Sequence, residues 1–106
     1  MQPHPLSITS EVTDPGTLLR LVGEIDLSSA HLLVDAIDDA IEAGARTVVL
    51  DFAGVTFVNS TGLGAMVAAT KRLRGDGGDL VLRNFRGIPA SALATTGLDR
   101  FFTIES

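Results

Sequence analysis

The sequence predicts a single α/β domain built on one mixed β-sheet, and three observations support this fold class. The chain has 106 residues, enough for one hydrophobic core. It is 45% hydrophobic and 20% charged, as is usual for globular proteins. Stretches of strand and helix character alternate in the order β-β-α-β-α-β-α-β. Such alternation favours a largely parallel sheet of four to five strands, because right-handed crossovers lay helices back on the sheet.

The first two elements are predicted to be strands that form an antiparallel hairpin at one edge of the sheet. Leu6 to Val12 alternates apolar and polar side chains, and Thr17 to Val22 is a second apolar stretch. Asp14-Pro15-Gly16 between them is a turn signal, since proline presets its own φ and glycine accepts a positive one.

A helix is predicted to begin at Ser28, where Ser28 or Ser29 is expected to cap the free N–H groups. The apolar residues that follow recur at helical spacing and share one face: Leu33, Ala36, Ile37, Ala40 and Ile41. Gly44 comes directly after this pattern, where a left-handed glycine commonly ends a helix.

The middle of the chain is predicted to hold a buried strand, a second short apolar stretch and a long helix. The strand is Thr47 to Phe52, whose apolar run does not alternate and therefore indicates burial on both faces. Ala53-Gly54 separates it from the stretch Val55 to Val58. The helix is predicted from Ser60 to Arg74 and ends at Gly75.

The last part of the chain is predicted to add a strand, a short helix and a final strand. The strand is Asp79 to Arg83, and Pro89 suits the first turn of a helix that stops at Gly97. Phe101 to Ile104 is the final strand. No linker or repeat interrupts the pattern, so residues 1–106 are expected to form one domain with a flexible N-terminus at residues 1–5.

Composition excludes several function classes. The net charge is −5, which disfavours direct binding to nucleic acid or to an acidic membrane. The basic residues Lys71, Arg72 and Arg74 are interpreted as a solvated helix end. There is no cysteine, no apolar run near the ~20 residues of a membrane helix, and no signal peptide in Met1 to Pro5. A cytoplasmic protein is expected.

The sequence contains no recognisable catalytic or metal-binding constellation. The two histidines, His4 and His31, belong to no metal-ligand motif. Gly62-Leu63-Gly64 lacks the spacing and the lysine of a phosphate-binding loop, and Ser60 does not lie in a G-x-S-x-G elbow. We therefore expect no enzymatic activity, no catalytic residue, no metal and no cofactor.

Three segments of the sequence form a set of short motifs in a fixed order. The first is Val55 to Gly64, which contains Asn-Ser-Thr-Gly-Leu-Gly after a hydrophobic strand. The second is Gly23 to Asp26, followed by the small residues 28–30. The third is Thr96-Gly97-Leu98 before an aromatic strand. Together these segments resemble, in the same order, the motifs of the STAS-domain anti-sigma-factor antagonists of bacteria, whose element order agrees with the predicted one. The resemblance covers nearly the whole chain.

The resemblance implies a partner switch in transcription regulation, such as a stress response. Members of this family bind an anti-sigma factor that is also a serine kinase of the GHKL type, and so release a sigma factor. The kinase phosphorylates the serine that corresponds to Ser60, and a phosphatase resets the switch. The implied partner-binding residues are Asp26, Ser28, Asn59, Ser60, Thr61, Gly62 and Leu63.

Each of these residues also has an ordinary structural interpretation. Ser60 suits a helix N-cap, and this is compatible with phosphorylation, because a phosphate there would meet free N–H groups and the positive end of the helix dipole. Asp26 is either an acid favoured at a helix start or a group close to Ser60. Gly62 and Gly64 either let a kinase approach or allow tight packing. Leu63 is expected in the core.

The sequence departs from the family at two places. Many members have aspartate before the phosphorylated serine, whereas this chain has Asn59. This change is expected to alter the kinetics of phosphorylation or the choice of kinase. Members also often continue into a further helix, which is expected to be missing after Ser106. The alternative function is a STAS module that binds protein or ligand without phosphorylation, in a signalling scaffold or beside a transporter.

Overall fold

The computed structural model describes residues 6–13 and 16–105, and its element order confirms the predicted alternation. The predicted flexible segment 1–5, His4 and the Asp14-Pro15 part of the turn lie outside these residues. The strands are β1 (Ser7–Val12), β2 (Thr17–Ile25), β3 (Thr47–Val58), β4 (Asp79–Arg83) and β5 (Thr103–Glu105). The helices are α1 (Ala30–Glu42), α2 (Ser60–Gly75) and α3 (Ile88–Thr96), followed by a short 3₁₀ turn, Leu98–Arg100.

The five strands form one mixed sheet in the order β1-β2-β3-β4-β5. β1 is antiparallel to β2, and all the other neighbours are parallel, as predicted. Each parallel connection therefore steps across the sheet in the same direction, and right-handed crossovers of this kind place their helices on one face. Consistently, buried residues of all three helices (Leu33, Met66 and Leu93) belong to one core.

Neighbouring rows of side chains show the two faces of the sheet. Leu19, Leu50 and Leu82 are register partners across β2, β3 and β4, and all three are fully buried beneath the helices. The next residue of each strand points the other way. These residues form a row of alternating charge on the opposite face, which continues onto β5: Arg20, Asp51, Arg83 and Glu105.

The prediction of two separate apolar stretches, Thr47 to Phe52 and Val55 to Val58, was wrong. They are one 12-residue strand, β3. Ala53-Gly54 forms a bulge within this strand, because the register with β2 shifts there and the Asp51 carboxylate accepts a hydrogen bond from the Ala53 N–H (2.9 Å). β2 likewise continues beyond Val22 to Ile25.

The ends of the chain's last elements also differ from the prediction. The final strand is β5, not Phe101 to Ile104, because Phe102 is buried in the core and Phe101 packs edge-on against it. The basic end of α2 is not simply solvated. Arg72 pairs with Asp38, and Arg74 pairs with Asp79 (2.9 Å) and lies over the Phe101 ring.

Among the described residues, no helix is long and apolar enough to cross a membrane. Within the same ranges, no group of three or more His, Cys, Asp or Glu side chains could hold a metal ion.

Candidate functional site

The candidate site lies where β2 and β3 end side by side at the carboxyl edge of the sheet. Ile25 and Val58 are register partners, and the Asn59 N–H donates to the Ile25 carbonyl oxygen (3.0 Å). From this edge β2 leads through residues 26–29 into α1, and β3 leads through Asn59 into α2. Two of the segments that carried the family resemblance therefore adjoin, at the edge where α/β sheets usually bind ligands.

Asn59, and not Ser60, is the N-cap of α2. Its backbone is extended, and its Oδ1 accepts hydrogen bonds from the N–H groups of Thr61 (3.0 Å) and Gly62 (3.2 Å). The expectation that Ser60 caps the helix was therefore wrong. The physical reason is that asparagine is as good an N-cap as serine, and here it precedes the helix by one residue.

Ser60 is the first residue of α2, and its side chain is exposed. No hydrogen bond to its hydroxyl occurs within the described part of the chain, so the oxygen is open to a modifying group. The N–H groups of Thr61 and Gly62 are already taken by Asn59. A phosphate on Ser60 would therefore meet the helix dipole but would have to displace Asn59 to bind these two donors.

Gly62 and Leu63 face inward from the same helical turn. A Cβ at Gly62 would lie 2.6 Å from Ile25 Cγ2 and 2.8 Å from Val58 Cγ2, so this glycine allows α2 to pack closely on the ends of the strands. Leu63 is 6% exposed and belongs to the core. At Gly64, by contrast, a Cβ would meet nothing within 4 Å. Of the two alternatives for these glycines, tight packing therefore holds at Gly62 only.

The Asp26 side chain organises the loop between β2 and α1. Its Oδ1 accepts hydrogen bonds from the Ser28 N–H (3.0 Å), the Ser28 hydroxyl (2.8 Å) and the Ser29 N–H (3.2 Å). The Ser28 hydroxyl contributes most to holding the pKa of Asp26 below its ordinary value of 3.8; partial desolvation opposes this, while Ser29 and the two N–H groups reinforce it. These bonds stay within the loop and do not reach Ser60.

The expectation that a serine side chain caps α1 was wrong. Ser29 occupies the N-cap position but makes no capping hydrogen bond. Its hydroxyl instead donates to the Glu24 carbonyl oxygen (2.8 Å) and accepts from the Asp26 N–H (2.9 Å). The reason is that these loop contacts hold the Ser29 hydroxyl on the β2 side, so it is not available to the free N–H groups in the first turn of α1.

Two apolar side chains at this edge were not predicted as site residues. Leu27, at the tip of the loop, is 79% exposed, and Phe57, near the end of β3, is 40% exposed. The signal for Leu27 was present in the sequence, since a large apolar residue between an aspartate and two serines lies outside any helix or strand pattern.

Comparison with known proteins links this geometry to a family. The model of the STAS domain matches residues 7–106 of the chain. The anti-sigma-F factor antagonist RsfB of Mycobacterium tuberculosis (strain H37Rv) is 34% identical over 71 residues. This match covers 65% of the chain, and the chain spans 58% of the length of that relative.

Solved structures share the fold. An anti-sigma factor antagonist from Mycobacterium paratuberculosis is 25% identical, with a TM-score of 0.86, over 97% of this chain and 87% of that one. The Bacillus cell fate determinant SpoIIAA in its phosphorylated form is 24% identical, with a TM-score of 0.71, over 94% of this chain and 92% of that one. Unphosphorylated SpoIIAA has a TM-score of 0.78 at 24% identity and covers 94% of this chain and 89% of its own.

The family model covers nearly all of the chain, and the predicted α/β fold and motif order agree with it. This chain belongs to the STAS domain family.

Proposed function

We propose that this protein is an anti-sigma factor antagonist, which binds an anti-sigma factor and thereby releases a sigma factor. The observation that carries the proposal is an exposed serine, Ser60, at the start of α2 on the carboxyl edge of a STAS domain. The names of the Mycobacterium relatives support the same assignment. The protein acts by binding, without a cofactor, a metal or catalysis of its own, as one domain of residues 1–106 in the bacterial cytoplasm.

The anti-sigma factor in this proposal is a GHKL-type serine kinase that phosphorylates Ser60, and a phosphatase reverses the reaction. A phosphoserine adds about −1.5 to −2 charges at pH 7. At an exposed docking edge such charge weakens association, because docking would remove the phosphate from water without supplying a matching opposite charge. The switch therefore needs no refolding of the domain.

The proposed contact residues fall into two groups. Those that line the docking edge are exposed or half-buried: Asp26, Ser28, Asn59, Ser60 and Thr61. Gly62 and Leu63 are buried and act through them, since they set how closely α2 packs on the strands. The partner-facing group combines polar side chains from both segments that adjoin at this edge.

The proposal is tested with a panel of purified GHKL-type anti-sigma factors from the same bacterium, titrated against the protein with and without ATP. We expect one panel member to bind wild type and, with ATP, to phosphorylate Ser60, as read by mass spectrometry. Ser60→Ala should keep binding and lose the modification, while Thr9→Ala, which removes an exposed hydroxyl on the edge strand β1, should keep both. Phosphate elsewhere, or no binding to any member, would overturn the proposal.

The second candidate function is binding without a phosphorylation cycle, and one observation favours it. Asn59 is neutral and already occupies the two N–H groups that a phosphate could use. The two candidates differ in their response to Ser60→Asp. The switch requires that this variant lose the partner, whereas equal retention by wild type and variant would favour the module without phosphorylation.

A further inference from the structure

Leu27 differs from the other exposed large apolar residues of the described chain. The others lie within strands or helices: Val12, Val22, Leu32, Val34, Phe57 and Ile104. Leu27 lies in a loop and is 79% exposed. Isolated exposed apolar residues are common and need no explanation by themselves. The loop that holds Leu27 supplies a second observation.

The loop is fixed by its own hydrogen bonds on both sides of Leu27. Asp26 Oδ1 accepts hydrogen bonds from the N–H groups of Ser28 and Ser29, and the Asp26 carbonyl oxygen accepts one from the Ala30 N–H (2.8 Å). The Ser29 hydroxyl ties the loop back to the Glu24 carbonyl oxygen. A partner that binds a loop already ordered in this way loses little conformational entropy, so the contact contributes more to affinity.

Leu27 also lies close to the proposed switch. It follows Ile25 by two residues, Ser60 follows Val58 by two residues, and Ile25 and Val58 are register partners on adjacent strands. A protein that reaches the Ser60 hydroxyl therefore meets the loop of residues 26–29 as well. Charge added at Ser60 would act on the same contact.

We propose that the loop of residues 26–29 is a preformed docking element whose tip, Leu27, enters an apolar pocket of the anti-sigma factor. The inference rests on the proposed function, and it assigns a structural role to Asp26. Because its carboxylate is directed into its own loop, Asp26 is a positioning residue that presents Leu27, and it does not act on Ser60 directly.

The first experiment measures the affinity of Leu27→Ser for the panel member that wild type binds, by calorimetry without ATP. We expect binding to weaken at least tenfold, which is about 1.4 kcal/mol at 25 °C. The matched control is Val12→Ser, which removes an equally exposed apolar side chain (83%) at the opposite end of the sheet and should bind like wild type. Both variants should unfold at the wild-type urea concentration.

The second experiment separates positioning from direct contact at Asp26. Asp26→Asn keeps an oxygen acceptor and should retain most of the affinity, whereas Asp26→Ala should weaken binding about as much as Leu27→Ser does. Hydrogen exchange at the Ser28 and Ser29 amides should rise in the alanine variant only. Loss of binding in Asp26→Asn with unchanged exchange would instead assign a direct charge contact and overturn the positioning role.

The outcomes distinguish this inference from the function on which it rests. If wild type binds no panel member, both the proposed function and the docking element are overturned. If wild type binds and Leu27→Ser binds equally well, the docking element alone is overturned. If Val12→Ser weakens binding as much as Leu27→Ser, the effect is not specific to the loop, and the inference is again overturned.

Discussion

At the scale of single residues, Asn59 connects the fold to the proposed switch. Its side-chain oxygen accepts hydrogen bonds from two N–H groups in the first turn of α2. Its backbone N–H donates a hydrogen bond to the carbonyl oxygen of Ile25 at the end of β2. The departure from aspartate therefore costs the helix nothing in capping. What it removes is a negative charge directly beside Ser60.

The cap gives a prediction for stability. Asn59→Ala should lower the free energy of unfolding by about 1 kcal/mol, since a helix N-cap side chain is lost. Asn59→Asp keeps the acceptor and adds an anion at the positive end of the helix dipole, so it should match or exceed wild type by about 0.3–1 kcal/mol. Urea unfolding at pH 7 measures both. Equal stability of the alanine variant and wild type would show that the cap contributes nothing.

The position of Ser60 at the start of α2 could be predicted from the sequence, but the capping role of Asn59 could not. Ser60, Asn59 and asparagine's general capping preference were all visible. Which residue caps depends on where β3 ends, and strand ends are set by pairing with β2, which is a contact between distant parts of the chain. The same holds for Asp26, whose place after β2 was predicted but whose hydrogen bonds to Ser28 and Ser29 depend on the loop's conformation.

At the scale of elements, the packing of α2 on the strand ends is set by one glycine. Gly62→Ala should destabilise the protein by about 1–3 kcal/mol, because the new methyl group would lie against Ile25 and Val58, both buried and β-branched. Gly64→Ala is the matched control on the same helix. It meets no neighbour and should stabilise the protein by up to about 1 kcal/mol.

Thermal or urea unfolding of the two variants measures the difference in stability between Gly62→Ala and Gly64→Ala. A Gly62→Ala variant as stable as Gly64→Ala would mean that α2 shifts to accommodate the methyl group at no cost. In that case partner binding should be measured next, because the shift would move Ser60.

Helices and strands were predictable to different degrees. α1, α2 and α3 could be predicted within about two residues, because periodic apolar residues and end signals such as Gly44 and Gly97 are local. β3 could not, since a bulge and a turn share the same Ala-Gly signal. The Asp51 hydrogen bond that stabilises the bulge and the close approach of Gly54 to β2 exist only after the strands pair.

At the scale of the whole molecule, three carboxylates link stability to pH. The pKa of Asp26 is lowered by its loop. Burial of Asp51 and Asp79 by itself would raise the pKa of each carboxyl group, but hydrogen bonds outweigh it and the pKa of each lies below 3.8. The chief hydrogen bond comes from the Asn84 side chain for Asp51 and from the Thr103 hydroxyl for Asp79. Nearby arginines lower both pKa values further. A carboxyl whose pKa falls on folding stabilises the native state when it is ionised.

The sign of the pH dependence follows from these shifts. The contribution is fully present above the ordinary pKa near 3.8 and is lost as pH falls through the lower native values, so the domain should lose stability below about pH 4. Asp79→Asn should be less stable than wild type at pH 7, and the difference should shrink at pH 3. Asp35→Asn, on the exposed face of α1, is the control and should show little difference at either pH.

Urea unfolding at the two pH values checks this expectation. A difference for Asp79→Asn that stays constant between pH 7 and pH 3 would mean that the hydrogen bonds to Thr103, Arg74 and the Leu80 N–H do not depend on the charge of the carboxylate.

The strand order has a consequence for how the domain forms. Every strand pairs only with its neighbours along the chain, so no pairing must wait for a distant segment to return. The order of the strands along the chain is also their order across the sheet, although each parallel pairing closes a loop that contains a helix. A chain emerging from the ribosome can therefore add strands one at a time from β1 to β5. All residues of the candidate site between β2 and β3 are synthesised before those of the last strand.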